Sequence, residues 1–350
     1  MEILTDYLVF LLKVFTIALA ITVPLLLIIG SSKSKSQPKG KLTITNLSEK
    51  FESMGNAVKS SLLNAKELKQ FNKEQSKEKK KKSKNKDSEK RDSAFVLNFK
   101  GDIQATEVEK LKQEINSILL SETPCKEVVI RVESGGGSAY AYGLCAAELK
   151  RLVDNKINLT VCIDKVAASG GYLMSCVASK IIAAPWAIVG SIGVIAQLPN
   201  FHRLLKKNSI DFEMHTAGAF KRTLTTLGEN TDEGRKKFKS DLEDLHLIFK
   251  DFVKEQRPQV DTDVVATGEV WQGKEAIEVG LIDSIETSDN YLVGLSKDVN
   301  LFEIEFVEKK NLSEKFAFSM HLVLEKLVLK FYDLINRDRC LLYTSPSPRD

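Results

Sequence analysis

Two patterns of apolar residues alternate along the chain between residues 95 and 163. Short runs of consecutive apolar residues, typical of buried strands, occur at 95–101, 127–132 and 158–163. Between them, apolar residues recur every three or four positions over 105–119 and 140–153, which predicts helices. Strands that alternate with helices in this way predict an α/β fold with a mainly parallel sheet.

The pattern after residue 163 predicts a second group of elements. A helix is expected to open near Ser169, followed by a strand, a turn and a strand within 180–194. Alternating apolar residues over 212–218 predict a further strand, and residues 231–256 have the period of a long helix. We therefore expect one globular domain over residues 93–310.

The N-terminus carries a long apolar stretch. Between residues 7 and 29 the only strongly polar residue is Lys13, and a helix needs about 20 residues to cross a bilayer. Acidic residues before the stretch, and no small-residue cleavage site after it, favour a retained anchor at 1–30 over a cleaved signal peptide. Lys33, Lys35, Lys39 and Lys41 follow, so the positive-inside rule predicts that the remaining chain is cytoplasmic.

Residues 31–92 have the composition of a linker. Apolar residues at roughly helical spacing over 43–72 predict an amphipathic helix. The run 73–92 holds ten lysines and arginines against five acidic residues. We interpret it as a solvated, disordered tether or a helix extension; binding to anionic lipid is the alternative. Because this run outweighs the whole-chain net charge of +4, the globular part is near neutral and nucleic acid is not an expected partner.

The cysteines and histidines do not predict a disulfide framework or a metal site. The five cysteines are odd in number and lack C-x-x-C spacing, which favours free thiols and agrees with a reducing compartment. The four histidines show no metal-ligand spacing. We therefore expect neither a metal nor a cofactor.

Ser169 is the first candidate for chemistry. In "VAASGGY" it stands among Ala167, Ala168, Gly170 and Gly171. A tight turn is the ordinary interpretation of such a stretch. The alternative is a nucleophile on a strand-to-helix turn, where small neighbours let a substrate backbone come close.

Three further features accompany this serine. Gly135, Gly136 and Gly137 end a strand and could present free amides to an anion. Ser191 lies between glycines in "VGSIGV". Lys221 follows the small-residue turn in "HTAGAFKRTLT" and is a candidate base, because burial lowers the pKa of a lysine. A triad of Ser169 with His215 and Asp164 is the competing hypothesis.

Several long motifs, in the same order, resemble those of the signal peptide peptidase A family of serine peptidases, especially its SohB-type membrane proteases. They include "VAASGGY", "AIVGSIGV" and "ATGEVWQGKEAIEVGLID", and the resemblance extends from the N-terminus to about residue 335. It implies a ClpP/crotonase-like α/β fold with repeated β-β-α and βαβ units. It also implies a bacterial inner-membrane enzyme that assembles into ring- or dome-shaped homo-oligomers and cleaves signal-peptide remnants or other membrane-associated polypeptides.

The resemblance assigns roles to individual residues. It implies that Ser169 is the nucleophile, that Lys221 is the general base, and that Ser191 helps to hold the lysine. The backbone amides of Gly136 or Gly137, together with Gly170, would form the oxyanion hole. The family usually has Ser-Pro-Gly-Gly where this chain has Ser-Gly-Gly-Gly at 134–137, and the loss of proline raises the flexibility of the loop.

The C-terminal part divides into two stretches. Residues 311–339 contain an apolar helical pattern at 316–335 that could pack on a neighbouring protomer, on the membrane surface or on its own core. Residues 340–350 lack this pattern and are interpreted as a non-native tail. Two other functions share the predicted fold: a crotonase-type acyl-CoA enzyme and a non-catalytic membrane scaffold.

Overall fold

The computed structural model of the chain describes residues 6–7, 9–19, 22, 40–84 and 92–308. Residues 41–307 form one compact unit. Ten strands occur in the described residues: β1 Gly40–Asn46, β2 Ser93–Gly101, β3 Cys125–Ser134, β4 Asn158–Ile163, β5 Val166–Ala168, β6 Lys180–Ala183, β7 Ile188–Gly190, β8 Val270–Gln272, β9 Ser284–Ile285 and β10 Asn300–Glu308.

Helices connect most of these strands. In the residues from 40 onward that the structure describes, they are α1 Leu47–Leu62, α2 Ala65–Lys84, α3 Val108–Leu120, α4 Ala139–Asp154, α5 Gly170–Ser175, α6 His202–Lys207, α7 Asp232–Gln256, α8 Thr262–Val265, α9 Gly273–Glu278 and α10 Ser288–Leu295. The α/β class predicted from the sequence is confirmed.

The strands form one mixed sheet that branches at β3. The main path has the order β1-β10-β2-β3-β4-β6-β9, and its pairs from β10 to β9 are parallel. Beyond its pairing with β4, the end of β3 also pairs with β5, which continues to β7 and β8. Parallel neighbours need long crossovers, and α3 and α4 supply two of them. The branch places the ends of β3, β5 and β7 side by side.

Both faces of the sheet are buried. On β2, Phe95, Leu97 and Phe99 pack into a large core, and Ala94 and Val96 pack into a smaller one on the opposite face. The large core includes the apolar faces of α3 and α4. The smaller core includes residues of α1 and α10. Burial on two faces explains why consecutive residues of β2 are apolar in the sequence.

Two predicted elements are wrong or displaced. Residues 212–218 form no strand: they lie in an exposed loop and pair with no neighbour, so their alternation has no sheet to stabilise it. The helix predicted over 43–72 is instead β1, α1 and α2, with a break at residues 63–64. There, Asn64 caps α2 by accepting the backbone N–H of Lys66 and Glu67, each at 3.1 Å.

Several predicted segments lie partly or wholly outside the described residues. Of the lysine-rich run, residues 73–84 are helical, in agreement with a helix extension rather than a disordered tether. In the N-terminal stretch, residues 9–19 are helical. A search of the described residues finds no helix both long and apolar enough to span a bilayer. The segments 311–339 and 340–350 lie outside the described residues.

A buried carboxyl group joins α3 to β10. Glu114 has 4% of its surface exposed, and its Oε1 accepts the backbone N–H of Phe306 at 2.9 Å. Burial raises the pKa of Glu114 from its ordinary 4.5 to about 7. The carboxylates of Glu107 and Glu305 act in the same direction, whereas the Phe306 amide and Lys110 oppose it. The folded chain therefore resists ionisation of this group.

Glu114→Gln should stabilise the protein at alkaline pH. Both states of the wild-type chain hold the proton below pH 4.5, but from there to about pH 7 only the unfolded chain ionises freely, so folding stability falls. The amide cannot ionise, and we expect an advantage of about 3 kcal/mol at pH 8 that disappears near pH 4. Urea unfolding at both values measures it. Glu109→Gln, at an exposed site on the same helix, should show no such pH dependence.

Candidate active site

Ser169 lies in a strained turn between β5 and α5. Its backbone angles are φ 52° and ψ −118°, a region that non-glycine residues seldom adopt and that costs about 1–3 kcal/mol. The Ser169 amide donates to Gly190 O at 2.7 Å, and the carbonyl accepts the amide of Leu173 at 2.9 Å. These bonds hold a half-buried serine at the start of a helix, as in the nucleophile turns of hydrolases.

Ser191 is brought beside Ser169 by the pairing of their strands. In the parallel pair β5–β7, Ala168 lies opposite Gly190, so both serines directly follow paired residues. Ser191 also has a positive φ, 51°, and its amide donates to Glu269 O at 2.7 Å. Two strained serines therefore end neighbouring strands of the branch, which are about 4.8 Å apart in a typical sheet.

The glycine loop after β3 packs directly against this turn. Gly136 has φ +88°, and a methyl group on its Cα would come within 2.7 Å of Ser169 Cβ and of Gly170 N. A methyl group on Gly137 would come within 2.1 Å of Ile103 O. Only glycine fits at either position, because a larger residue would collide with the Ser169 turn at 136 and with the Ile103 backbone at 137.

The two loop amides have different environments. The Gly136 N–H donates to Ser134 Oγ at 3.1 Å and is therefore occupied. The Gly137 N–H makes no hydrogen bond within the described part of the chain. Gly170 is the first residue of α5, so its N–H has no partner within the helix. Gly170, next to Ser169, and Gly137, next to the loop residue that packs on Ser169, thus each have an amide without a partner in the described residues, a pair suited to stabilising an oxyanion.

Lys221 is not brought to Ser169 within the single chain. It is exposed in the loop that follows α6, where its amide donates to Gly218 O at 3.2 Å. Its side chain has no hydrogen-bond or ion-pair partner among the described residues. The site of a single chain therefore contains both serines and the glycine loop, but not the lysine.

The competing triad has no support in the geometry. His215 is exposed in the same loop, with Nε2 3.5 Å from Glu213 Oε2. Asp164 instead accepts the backbone N–H of Ser288 at 2.8 Å and its hydroxyl at 2.5 Å, which fixes the start of α10. Neither residue is placed to serve Ser169, and the strand predicted to carry His215 does not form.

The described cysteines are free thiols and are poor nucleophiles. Cys145, Cys162 and Cys176 are buried, and Cys125 is half-buried. Burial raises the pKa of Cys145 and of Cys176 to about 12 and that of Cys125 to about 11. A thiol that stays protonated cannot attack a carbonyl efficiently. Among the described residues, the serine turn is the better candidate for nucleophilic chemistry.

Two aromatic residues of the site were not predicted from the sequence. The Tyr142 ring covers Gly170, so closely that a methyl group there would come within 2.5 Å of the ring. The Trp271 ring covers Gly190, where a methyl group would come within 2.8 Å. Tyr142 occupies an apolar position of a helical pattern, and Trp271 lies in a motif quoted only for its resemblance. In the sequence, neither has a feature that marks it as part of the site.

Comparison with known proteins identifies the family. Residues 2–149 match the model of the peptidase family S49 N-terminal region, and residues 151–301 match the model of peptidase family S49 itself. The chain is 44% identical over 326 residues to "Probable protease SohB" of Haemophilus influenzae, covering 90% of this chain and 92% of that protein. It is 42% identical over 332 residues to the protein of the same name from Buchnera aphidicola subsp. Acyrthosiphon pisum, covering 95% and 98%.

A solved structure is also similar, at a level that supports no inference about this chain. It is the "1510-N membrane-bound stomatin-specific protease" in complex with a substrate peptide, with a TM-score of 0.41 and 12% identity, covering 66% of this chain and 98% of that one. The family models and the two full-length relatives carry the assignment. The chain belongs to peptidase family S49 and is a serine peptidase.

Proposed function

We propose that this chain is a membrane-anchored serine endopeptidase in which Ser169 attacks the peptide carbonyl and Lys221 is the general base. Ser191 would orient the lysine, and the amides of Gly170 and Gly137 would form the oxyanion hole. The observation that carries the proposal is the strained turn at Ser169, packed against a glycine loop with a free amide. The proposed fold subtype is ClpP/crotonase-like.

The chemistry follows from these groups. Lys221 would take the proton of the Ser169 hydroxyl as its oxygen bonds to the substrate carbonyl carbon. The carbonyl oxygen becomes an anion held by the two amides, and the lysine passes the proton to the leaving amine as the C–N bond breaks. Water then attacks the acyl carbon while Lys221 takes a proton from it. The lysine returns this proton to the Ser169 oxygen as the ester bond breaks, which releases the second product. No cofactor or metal is needed in this sequence of steps.

The exposed position of Lys221 suggests how the site is completed. Residues 195–222, here termed the lysine segment, expose many large apolar side chains: Ile195, Leu198, Phe201, Leu204, Ile210, Phe212, Met214 and Phe220. Apolar exposure on this scale within one segment is typical of an interaction surface. We propose that homo-oligomer formation covers the lysine segment and carries Lys221 into an active site, where burial favours its neutral form.

The proposed location is the bacterial inner membrane. The apolar stretch 7–29 would be the single-pass anchor, and the lysines that follow it favour a cytoplasmic catalytic domain. An enzyme held at the bilayer would meet signal-peptide remnants and other membrane-associated polypeptides. An extended substrate could pair with strand edges beside the site through main-chain hydrogen bonds.

Activity assays with two substrate classes test the proposed function. The solubilised full chain should cleave unstructured apolar polypeptides, and a fluorophosphonate probe should modify Ser169, as mapped by mass spectrometry. Acyl-CoA thioesters, the substrates of crotonase-type enzymes, should not be turned over. Hydrolysis of thioesters without peptide cleavage would contradict the proposal, and so would a chain inert towards both classes in its oligomeric form.

A further inference from the structure

A buried chain of hydrogen bonds lies beneath the glycine loop. Tyr142 and Ser134 have 0% and 2% of their surfaces exposed. Tyr142 OH donates to Asp102 O at 2.7 Å, and it lies 2.5 Å from Ser134 Oγ. Ser134 Oγ in turn accepts the Gly136 N–H at 3.1 Å. The chain thus extends from the end of β2 to the loop beside Ser169.

The protons in this chain have only one arrangement. The Tyr142 hydroxyl has a single proton, which it gives to Asp102 O, so it must accept the proton of Ser134 Oγ. The Ser134 oxygen is then free to accept from Gly136. All bonds point in one direction, from the Gly136 amide to the Asp102 carbonyl. A chain of this kind holds its members more firmly than isolated bonds do.

Tyr142 also contacts the other half of the proposed oxyanion hole. Its ring lies against Gly170, the residue after Ser169, while its hydroxyl leads to Gly136 through Ser134. The same hydroxyl excludes a side chain at Gly101, where a methyl group would come within 2.3 Å of it. One buried tyrosine therefore connects the nucleophile turn with the glycine loop.

We propose that Tyr142 is a positioning residue for the oxyanion hole and acts on the glycine loop through Ser134. By holding the Gly136 amide away from the substrate, the chain leaves the Gly137 amide as the loop's free donor. Gly135 stands where the family that the sequence resembles usually has proline. Because glycine does not restrict the backbone as proline does, the loop needs another restraint. The tyrosine–serine pair supplies the missing restraint. This inference rests on the proposed role of Ser169.

Tyr142→Phe tests the role because it keeps the ring against Gly170 and removes only the hydroxyl. In the solubilised full-length enzyme, kcat should fall about tenfold, since loss of a whole oxyanion donor costs about 10²–10³-fold. KM should change less than twofold. A peptide boronate, which forms a tetrahedral adduct on Ser169, should lose affinity by about the same factor as kcat. A purely structural role would not separate kcat from KM in this way.

Tyr172→Phe is the matched control. Tyr172 is equally buried, and its hydroxyl also donates to a backbone carbonyl, that of Leu281 at 2.9 Å, away from the glycine loop. The Tyr172→Phe variant should lose as much thermal stability as Tyr142→Phe but keep its kcat and its boronate affinity. Equal losses of kcat in both variants would overturn the proposal, as would an unchanged boronate affinity in Tyr142→Phe.

Ser134→Ala provides an independent test, should Tyr142→Phe fold poorly. It removes the acceptor of the Gly136 amide, and it should reproduce the fall in kcat. Because the two side chains act in series, the double variant should be no slower than the slower single variant. Multiplied losses would contradict a shared path. Ser169→Ala separates the two proposals: if it retains turnover, the nucleophile assignment fails, whereas an inactive Ser169→Ala beside a normal Tyr142→Phe refutes only the positioning role.

Discussion

Ser169→Ala should abolish peptide hydrolysis while the protein stays folded and assembled. The hydroxyl is the proposed nucleophile, and its removal leaves only substrate binding and the oxyanion donors, so kcat should fall by on the order of 10⁴-fold or more. Turnover of a quenched fluorescent peptide measures the loss. Ser179→Ala, at an exposed position on the same segment, should be fully active. Residual activity above a tenth of wild type in Ser169→Ala would exclude the assignment.

Ser169→Gly should be equally inactive but more stable than Ser169→Ala. Ser169 has a positive φ that glycine adopts without a steric cost, whereas alanine retains the strain. We expect a difference of about 1 kcal/mol in the free energy of unfolding between the two variants. Urea titrations of both proteins would detect it. An alanine variant as stable as the glycine variant would mean that the turn stores no strain for function.

The central strands could be predicted because their environment is encoded locally. The middles of β2, β3 and β4 are buried on both faces, so each strand contains a run of consecutive apolar residues that stands out from the helical pattern between them. The helical faces of α3 and α4 are likewise set by contact with one core. Their positions follow from the repeat of apolar residues alone.

The pairing of the branch could not be predicted in this way. The strand, turn and strand predicted within 180–194 form as β6 and β7, but β5 and β8 were not predicted. β5, β7 and β8 have three residues each, too few for a period to be measured, and their pairing depends on contacts far apart in sequence. The expected strand at 212–218 fails for the opposite reason. Its alternation is adequate, but the segment pairs with no strand of the described chain. Tertiary pairing, not local pattern, decides these segments.

The candidate site was predictable only where backbone conformation restricts residue type. Gly136 must be glycine because of its positive φ and its contact with Ser169, so the sequence itself marks the loop. Tyr142 is different, because a buried tyrosine on a helix resembles any other core residue until its hydroxyl is seen to reach Ser134. Lys221 was proposed from its motif, and its side chain has no partner among the residues that the structure describes.

Lys221→Ala and Lys221→Arg should each lower kcat/KM by on the order of 10³-fold or more. Alanine has no base, and arginine keeps its proton at any accessible pH, so neither can accept the proton of Ser169. Arg222→Ala is the matched control, since it removes the adjacent exposed charge and should stay active. Ser191→Ala should lose less activity than the lysine variants, because it orients the base without transferring a proton.

The assembly state should decide whether the lysine can act. Light scattering at micromolar concentration should give a mass several times that of the 39.1 kDa chain for the wild type and for each Lys221 variant. Specific activity of the wild type should fall on dilution into the monomer range, because the lysine segment is then uncovered and Lys221 returns to solvent. A fully active monomer would contradict this mechanism, and so would a Lys221→Ala variant that retains activity while His215→Ala loses it.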